Sequence, residues 1–233
     1  MRVPARLPTE QGGTTFAPKH YRRMAQDNQL TEDEIEALER LLRKISGRGA
    51  NLPFPLFRFI TEVSPTPNVD LIVQDERLGV LLAWRDDAFG AGWHVPGSLI
   101  RHREEVEHRL QATAAEEFGC ELNVQDRPFA LIQIFDDRGH SVSLCYSASL
   151  RGVPQRRVLS GDAKPAVGDL RWFEDLPLDL YPSHFVYREI IPALRRGELS
   201  NGTPVYTQRV GIREERREGA GGSISEDQSI RQL

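Results

Sequence analysis

Apolar residues recur at helical intervals early in the chain and in short β-type runs further on. The first group lies three or four residues apart, on one face of a helix: Ile35, Leu38, Leu41, Leu42 and Ile45. Thr31 and Glu34 have the spacing of a capping box, in which two side chains satisfy backbone N–H groups at a helix start. The pattern therefore predicts an amphipathic helix from Thr31 to Ile45.

Beyond residue 65 the pattern changes. The β-type runs cover residues 69–73, 79–85, 130–135, 141–150 and 170–173. The first two flank a polar turn and predict a hairpin. Between the second and third runs, Val106, Leu110 and Ala114 repeat every four residues and predict a helix, and a further helix is expected to begin near Ser183. This irregular alternation predicts an α/β sandwich with a mixed sheet.

Changes in composition predict one domain with two appendages. Residues 1–48 hold a polar arm and the amphipathic helix, residues 49–200 hold the β-type runs, and residues 201–233 form a charged tail that we expect to be flexible. A length of 233 residues with 39% apolar residues suffices for one large core. We expect the apolar stripe of the first helix to pack on that core or on a second copy of the chain, which would make a homodimer.

Charge and cysteine content narrow the class of protein. Lys and Arg total 30 against 34 Asp and Glu, a formal net charge of -4, whereas proteins that coat nucleic acid are usually basic. No stretch approaches the ~20 apolar residues of a membrane span, and the N-terminus lacks the apolar run of a signal peptide. Cys120 and Cys145 lie in apolar stretches and are interpreted as buried free thiols. We therefore expect a cytoplasmic protein that binds neither nucleic acid nor membrane.

Acidic side chains are spaced in a fixed frame around the helix of residues 106–118. Glu104 precedes this helix, Glu116 and Glu117 stand at its end, and Gly119 follows. Over residues 98–120 this frame resembles the signature of the Nudix hydrolases, G-x5-E-x7-R-E-U-x-E-E-x-G-U, where U is a bulky aliphatic residue. The resemblance implies a Nudix-type α/β/α sandwich with a mixed sheet and an N-terminal helical extension.

Three side chains depart from that signature. Ser98 stands at the first glycine, and Ala112 and Thr113 stand at the arginine and the glutamate. Because the signature arginine and glutamate are absent, Glu104 lacks its usual partner within the signature. Arg109, in the same helix, could pair with Glu104 or with Glu105, or face solvent.

Glu116 and Glu117 are the candidate ligands of a divalent cation. Adjacent carboxylates at a helix C-terminus repel each other and interact unfavourably with the helix dipole, and a bound cation offsets that cost. Mg²⁺ prefers a few carboxylate oxygens, water and substrate phosphates. A solvated acidic helix end is the alternative interpretation. The resemblance implies Mg²⁺ or Mn²⁺ as the cofactor and the backbone carbonyl of Gly97 as a further ligand.

Outside the signature the chain is similar to the GDP-mannose mannosyl hydrolase branch of the family, over residues 66–195. The shared features occur in the same order: Thr66-Pro67, Asp70 before an aliphatic run, Arg85 at a strand end, Trp93 to Gly97, and Arg171-Trp172. That branch carries a Gln and a His just before its Arg-Trp, as metal ligand and general base. Ala166 and Val167 occupy the matching positions here, and neither can bind a metal or accept a proton.

The resemblance implies that Arg85 contacts a phosphate or the leaving nucleotide, since its planar guanidinium suits phosphoryl oxygens. A strand-end surface arginine is the alternative. For the general base, His140 has a side chain that titrates in the useful range. Asp162 and Asp169 flank the substituted positions, and Asp169 is also a candidate contact for substrate. Each of these three could instead be an ordinary loop residue.

The sequence thus predicts a hydrolase that cleaves a nucleoside diphosphate linked to another group, with a small-molecule nucleotide sugar such as GDP-mannose as substrate. Glu117, Arg85 and His140 are the expected catalytic residues. Attack on phosphorus and attack on the sugar carbon both stay open. The alternative function is a catalytically weak or inactive Nudix-fold module that binds a nucleotide or a protein partner, which the altered signature favours.

Overall fold

The structure is a computed structural model that describes residues 30–45, 52–199 and 202–210, and the backbone of residues 231–232. The chain divides into two compact units, residues 1–52 and residues 53–233. The predicted arm before residue 30 lies outside the described residues, as does most of the predicted tail beyond residue 210. None of the helices in the described part of the chain has the length and apolar content that a membrane crossing requires.

The first unit contains helix α1 (Glu32–Ile45). The predicted capping box is confirmed, because the backbone N–H of Thr31 donates to Glu34 Oε2 over 2.7 Å and the N–H of Glu34 donates to Thr31 Oγ1 over 3.3 Å. Leu38 and Leu41 on the apolar stripe are 45% and 52% exposed. The packing of this stripe on a core or on a second chain stays a prediction.

Helix α2 (Phe54–Val63) opens the second unit at a point where the prolines at 53 and 55 suggest a break in the chain. Pro53 is instead the N-cap, and Pro55 lies in the first turn. Proline is accepted there because the first N–H groups of a helix have no intrahelical partner. The later helical elements are α3 (Val106–Glu117), a 3-10 turn (Pro182–His184) and α4 (Tyr187–Arg195).

The strands form a single mixed sheet. They are β1 (Thr66–Asp75), β2 (Gly79–Asp87), β3 (Gly90–His94), β4 (Gly97–Leu99), β5 (Glu121–Val124), β6 (Ala130–Asp136), β7 (Gly139–Arg151), β8 (Val158–Leu159), β9 (Leu170–Phe173), β10 (Val205–Arg209) and β11 (Arg231–Gln232). Their main order is β11-β10-β6-β7-β1-β2-β9-β8, with β3 on β2, β4 on β1 and β5 on β7. β1 runs parallel to β7 and antiparallel to β2, so the predicted mixed sheet is confirmed.

Helices cover both faces of this sheet. Along β1, Val69 and Leu71 point into a core cluster shared with Leu110 and Phe118 of the α3 segment. Ile72 points the other way, into a second cluster completed by residues of the α4 segment: Val186, Tyr187, Ile190 and Ile191. The alternation follows from the two-residue period of a strand. The predicted α/β/α sandwich is therefore confirmed.

The structure differs from the predicted flexible tail at its beginning. Val205–Arg209 form β10, which pairs in parallel with β6. Gln208 is 5% exposed. Its side-chain Nε2 donates to the carbonyl of Pro182 over 3.1 Å, and its Oε1 accepts from the N–H of Val186. A polar residue with its hydrogen bonds satisfied by a neighbouring loop fits a buried strand, which composition alone does not reveal.

Candidate active site

The acidic end of α3 is fixed by a loop that follows β7. The N–H of Gln155 donates to the carbonyl of Phe118 over 3.1 Å, and Arg156 Nη2 donates to the carbonyl of Glu116 over 2.7 Å. A guanidinium at this position satisfies a helix-end carbonyl and complements the negative end of the helix dipole. Gly119 lies in the left-handed region with φ of 68°, and an added Cβ would come within 2.8 Å of Gln155 Cβ, so glycine is required at this close approach.

Glu116 is held by two arginines. Arg109 Nη2 lies 3.0 Å from Glu116 Oε1, and Arg101 Nη2 lies 3.8 Å from the same oxygen. Arg109 is 1% exposed, and its Nε is 3.8 Å from Glu104 Oε1. Of the alternatives open for Arg109, the structure thus favours pairing with Glu104 over facing solvent, and it adds Glu116 as a second partner.

The substituted positions of the signature contact each other. Ser98 and Thr113 are hydrogen-bonded through their hydroxyl groups. Thr113 Oγ1 also bonds the carbonyl of Arg109, over 2.7 Å. Thr113 is fully buried. The hydroxyl pair therefore ties β4 to the middle of α3, where the family signature has a glycine and a glutamate.

Glu117 differs from Glu116 in having no hydrogen bond or ion pair within the part of the chain that the structure describes. Its side chain is half-buried, and burial raises its pKa above the ordinary value. The charges of Arg156 and Arg85 act in the opposite direction, whereas Glu116 adds to the rise. Glu117 is therefore an unpaired carboxylate on which the charges of a second carboxylate and two guanidinium groups act.

Arg85 lies near the end of β2, where the sequence predicts it. Its Nε is 2.6 Å from Asp87 Oδ2, and its guanidinium carbon lies 5.0 Å from the ring centroid of Tyr181. The hydroxyl of Tyr181 donates to Asp87 Oδ1 over 2.7 Å. An aromatic ring and a carboxylate thus orient the arginine, which is about a third exposed at its side chain.

A second arginine approaches the same tyrosine ring from the neighbouring turn. The guanidinium carbon of Arg138 is 5.6 Å from the Tyr181 centroid, and Arg138 Nη2 is 2.9 Å from Asp136 Oδ2. Both Asp136 and Arg138 line a cavity of about 130 Å³ below α2. Its other lining residues include Phe57, Thr61, Asn68, Leu99, His140 and Ser141. Leu99 follows the predicted ligand Gly97 by two residues, so the cavity opens beside the signature loop.

His140 lies at this cavity and contacts neither Glu116 nor Glu117 among the described residues. Its ring stacks on Phe135 with 4.1 Å between centroids, and its Nε2 is buried without a hydrogen-bond partner in the described part of the chain. Burial lowers the pKa of His140, and the charge of Arg209 lowers it further. The imidazole is therefore neutral at neutral pH and has one nitrogen free.

Asp169 is engaged by an arginine. Arg157 Nε donates to Asp169 Oδ1 over 2.9 Å, a second guanidinium nitrogen bonds Oδ2, and the N–H of Ala166 donates to Oδ2 over 2.7 Å. The hydrogen bonds from Arg157 hold the pKa of Asp169 below its ordinary value. Val167 is 69% exposed, and Asp162 is exposed as well. Asp169 thus closes the turn that carries the substituted positions.

Several known structures resemble this one, although no family model and no curated protein matches the chain. A structure described as a possible asymmetric diadenosine tetraphosphate (Ap4A) hydrolase from Jonesia denitrificans is 20% identical, covers 59% of this chain and 98% of its own, and has a TM-score of 0.46. A Nudix hydrolase from Nitrosomonas europaea is 16% identical over 63% of this chain and 78% of its own, with a TM-score of 0.44. An ADP-ribose pyrophosphatase from Streptococcus suis is 18% identical over 63% and 98%, with a TM-score of 0.43.

A group of buried titratable side chains behind the signature loop was not expected from the sequence. Asp70 on β1 is 6% exposed and pairs in register with Gly97, and an added Cβ at Gly97 would overlap the Asp70 carboxylate. His94 and His184 are also buried, with ring centroids 5.7 Å apart. Burial lowers the pKa of His94 to about 4 and that of His184 well below its ordinary value. An aspartate within an apolar strand was the one available signal.

Among the described residues, no group of three or more His, Cys, Asp or Glu is placed to hold a metal ion. Glu116 Oε1 is engaged by arginine, and Glu117 carries the free carboxylate. The donors are hard oxygens, which suit Mg²⁺ or Mn²⁺ better than softer metals. Mg²⁺ is commonly bound by one or two carboxylates together with water and substrate phosphates. These residues therefore fit a cation that arrives with a phosphorylated substrate.

Proposed function

We propose that this protein is a Nudix-type hydrolase that cleaves a nucleoside diphosphate linked to another group, in a reaction that depends on Mg²⁺ or Mn²⁺. The observation that carries the proposal is the unpaired, half-buried carboxylate of Glu117, next to Glu116 and within the electrostatic range of Arg85 and Arg156. Carboxylates attract a divalent cation, and guanidinium groups attract phosphoryl oxygens. A bound cation and nearby guanidinium groups together can hold the diphosphate of a substrate in one position.

Glu117 and Glu116 would hold the cation, with the backbone carbonyl of Gly97 as a further proposed ligand. When bound, the cation neutralises charge on the diphosphate and polarises its oxygens. Arg85 stabilises the charge that develops on the departing nucleotide. Its present partner Asp87 competes for that guanidinium, so substrate binding has to exchange one anionic partner for another.

The cavity below α2 supports a bulky group next to the diphosphate. Its walls combine apolar side chains, Phe57 and Leu99, with the amide of Asn68 and the hydroxyl of Ser141. Ligand sites typically pair apolar walls with a few polar groups in this way. We propose a nucleotide sugar such as GDP-mannose as the substrate class.

We assign His140 as the candidate general base, because it is neutral at neutral pH and has a free Nε2. Asp169 is the weaker candidate: its two oxygens are occupied by Arg157, and its lowered pKa makes it a poor proton acceptor. Asp169 therefore also has little freedom to contact substrate.

The test is turnover of a panel of nucleotide sugars and dinucleotides with Mg²⁺ or Mn²⁺, scored for released phosphate or sugar. Glu117→Gln removes a charge and preserves shape, so we expect a loss of at least about a hundredfold, equivalent to about 3 kcal/mol of transition-state stabilisation. Glu121→Gln is the matched control, since Glu121 is an exposed glutamate that pairs with Arg151. Full activity of Glu117→Gln on a substrate cleaved by the wild type would contradict the proposal.

A second candidate function is a non-catalytic module that binds a nucleotide. It is favoured by the engagement of Glu116 with Arg109 and by Ala166 and Val167 at the positions of a ligand and a base. Calorimetry with GDP-mannose and ADP-ribose separates the two functions. Saturable binding by the wild type without product formation in the presence of Mg²⁺ or Mn²⁺ supports the module.

A further inference from the structure

Arg109 has an unusual setting for a charged side chain. It is 1% exposed and is among the largest fully buried side chains of the described residues. It lies in the first turn of α3, whereas its partner Glu116 lies at the last turn, two helical turns away. Residues seven apart are two turns apart on nearly the same helix face, and the guanidinium reaches Glu116 along that face.

The contacts of Arg109 belong to a closed ring that links two arginines and two glutamates through three ion pairs and one backbone hydrogen bond. Arg109 reaches Glu116 Oε1 at 3.0 Å, and Glu116 Oε1 is 3.8 Å from Arg101 Nη2. The backbone N–H of Arg101 donates to Glu104 Oε2 over 2.9 Å, and Glu104 Oε1 is 3.8 Å from Arg109 Nε. The ring joins the loop before α3 to the end of α3, and Arg109 is its buried member.

The loop in this ring has a constrained backbone. Arg103 has φ of 62°, and no other non-glycine residue of the described part has a positive φ. This conformation is uncommon for a residue with a Cβ, and persists when surrounding contacts determine it. The contacts are the N–H of Glu104 to the carbonyl of Arg101, over 3.1 Å, and the Glu104 carboxylate to the N–H of Arg101.

We propose that Arg109 is a positioning residue that fixes Glu116 and the loop 101–104, so that the adjacent Glu117 stays unpaired and available to a cation. The proposal deepens the proposed function and rests on it for the cation. Stability alone is a weak reason to bury an arginine, since apolar replacement of buried ion pairs is often neutral or stabilising. Without Arg109, Glu116 and Glu104 lose their buried partner, and the two carboxylates at the helix end are free to rearrange.

The buried Nε of Arg109 has no hydrogen-bond partner among the described residues. Glu104 Oε1 lies 3.8 Å from it, and closing that gap to a hydrogen bond of ~2.9 Å needs a movement of about 1 Å. Arg109 is therefore hydrogen-bonded to Glu116 through Nη2, and its contact with Glu104 is an ion pair without a hydrogen bond.

The experiment compares the full chain with three variants. Arg109→Met keeps the buried stem and removes the charge. The double variant Arg109→Met with Ala112→Arg returns an arginine to the same helix face, four residues before Glu116. Arg151→Met is the control, since it breaks only the exposed pair of Arg151 with Glu121. Mn²⁺ affinity is measured by electron paramagnetic resonance with Mn²⁺ alone, and amide exchange at Arg101 is measured by NMR without cation.

We expect Arg109→Met to weaken Mn²⁺ binding about tenfold to a hundredfold, the usual effect of losing a residue that orients a ligand. Amide exchange at Arg101 should accelerate in the same variant. The double variant should recover most of the affinity, and the control should match the wild type. Wild-type affinity in Arg109→Met, or a folded double variant without recovery, overturns the proposal.

If Arg109→Met does not fold, the same measurements are made on Arg109→Lys. A lysine ammonium is a point charge and cannot bridge two carboxylates as a guanidinium does, so weakened Mn²⁺ binding is expected and unchanged binding overturns the proposal. If the wild type binds no Mn²⁺ in the absence of substrate, Glu117 is not available to a cation on its own and the proposal is overturned, whereas the proposed function, in which the cation arrives with a phosphorylated substrate, is decided by turnover. Unchanged exchange at Arg101 in a folded Arg109 variant would refute the positioning role independently.

Discussion

The hydroxyl of Tyr187 donates a hydrogen bond to the carboxylate of Asp70, which joins α4 to the middle of β1. Tyr187 is fully buried. Burial raises the pKa of Asp70 to about 6, while hydrogen bonds from Tyr187 and Ser143 act in the opposite direction. Gly97 packs against the same carboxylate. The bond therefore supports β1 where it pairs with β4, the strand on which the signature loop begins.

Removal of this hydroxyl should cost stability. Tyr187→Phe keeps the ring in the core and leaves a buried carboxylate with one partner fewer, so we expect a loss of about 1–3 kcal/mol in the free energy of unfolding. Urea denaturation at pH 7 measures it. Tyr146→Phe is the control, because the hydroxyl of Tyr146 has no hydrogen-bond partner within the described residues, and it should change stability little. Equal effects of the two variants would show that the bond to Asp70 contributes nothing specific.

The raised pKa of Asp70 predicts a pH dependence with a definite sign. A carboxyl whose pKa rises from 3.8 to about 6 on folding binds its proton more tightly in the folded state. Its contribution is fully present below pH ~3.8 and is lost as pH rises through ~6, a decrease of about 3 kcal/mol. Asp70→Asn should remove this decrease. The measurement is urea denaturation of both proteins at intervals from pH 4 to pH 7.

Asp75→Asn serves as the control for that titration. The backbone N–H groups of Leu78 and Arg77 lower the pKa of Asp75, so its contribution has the opposite sign and is lost as pH falls. Because that loss occurs only as pH falls through and below ~3.8, the difference in unfolding free energy between wild type and Asp75→Asn should stay nearly constant from pH 4 to pH 7, whereas the difference for Asp70→Asn should change. A constant difference for Asp70→Asn across this range would mean that Asp70 does not titrate there.

Periodicity predicted the elements whose apolar residues recur regularly on one face. The stripe of Val106, Leu110 and Ala114 predicted α3 nearly to its ends. β3 was missed because its glycines at 90 and 92 have low β propensity. Gly92 is required by packing instead, since an added Cβ would come within 2.5 Å of the backbone of Tyr181. Gly92 and Tyr181 are distant in sequence, so the local pattern around Gly92 does not reveal their close approach.

The spacing of the acidic residues in the candidate site was predictable from the sequence, but their arginine contacts were not. The spacing of Glu104, Glu116 and Glu117 indicated acidic side chains around one helix. The separate roles of Glu116 and Glu117 depend on Arg109 and Arg156, which reach the helix end from a buried face and from a distant loop. Arg109 and Glu116 lie seven residues apart in one helix, so their spacing is compatible with this contact, whereas the approach of Arg156 from a loop 40 residues away is not encoded in that spacing.

The close contact between Gly97 and Asp70 predicts intolerance of a side chain at Gly97. An added Cβ would overlap the Asp70 carboxylate and come within 2.7 Å of the carbonyl oxygen of Val69. We expect Gly97→Ala to destabilise the protein by about 1–3 kcal/mol, as overpacking of a core does. Gly161→Asn is the control, because Gly161 has φ of 58° with open space around it and asparagine tolerates that region. Thermal melts of both variants check the prediction, and an undisturbed Gly97→Ala would contradict the packing.

Divalent cations should raise the thermal stability of this protein through Glu116 and Glu117. A ligand that binds only the folded state stabilises it by mass action, by about 2.7 kcal/mol at a concentration of ~100 times its dissociation constant. We therefore expect Tm to rise with Mg²⁺ or Mn²⁺ in the millimolar range. Glu117→Gln should largely abolish the rise, whereas Glu121→Gln should retain it, because the exposed carboxylate of Glu121 is paired with Arg151. Calorimetric scans at several cation concentrations measure the effect, and KCl at matched ionic strength separates specific binding from screening. An unchanged Tm for the wild type would count against cation binding at this pair in the absence of substrate, and an equal rise in wild type and Glu117→Gln would locate the cation elsewhere.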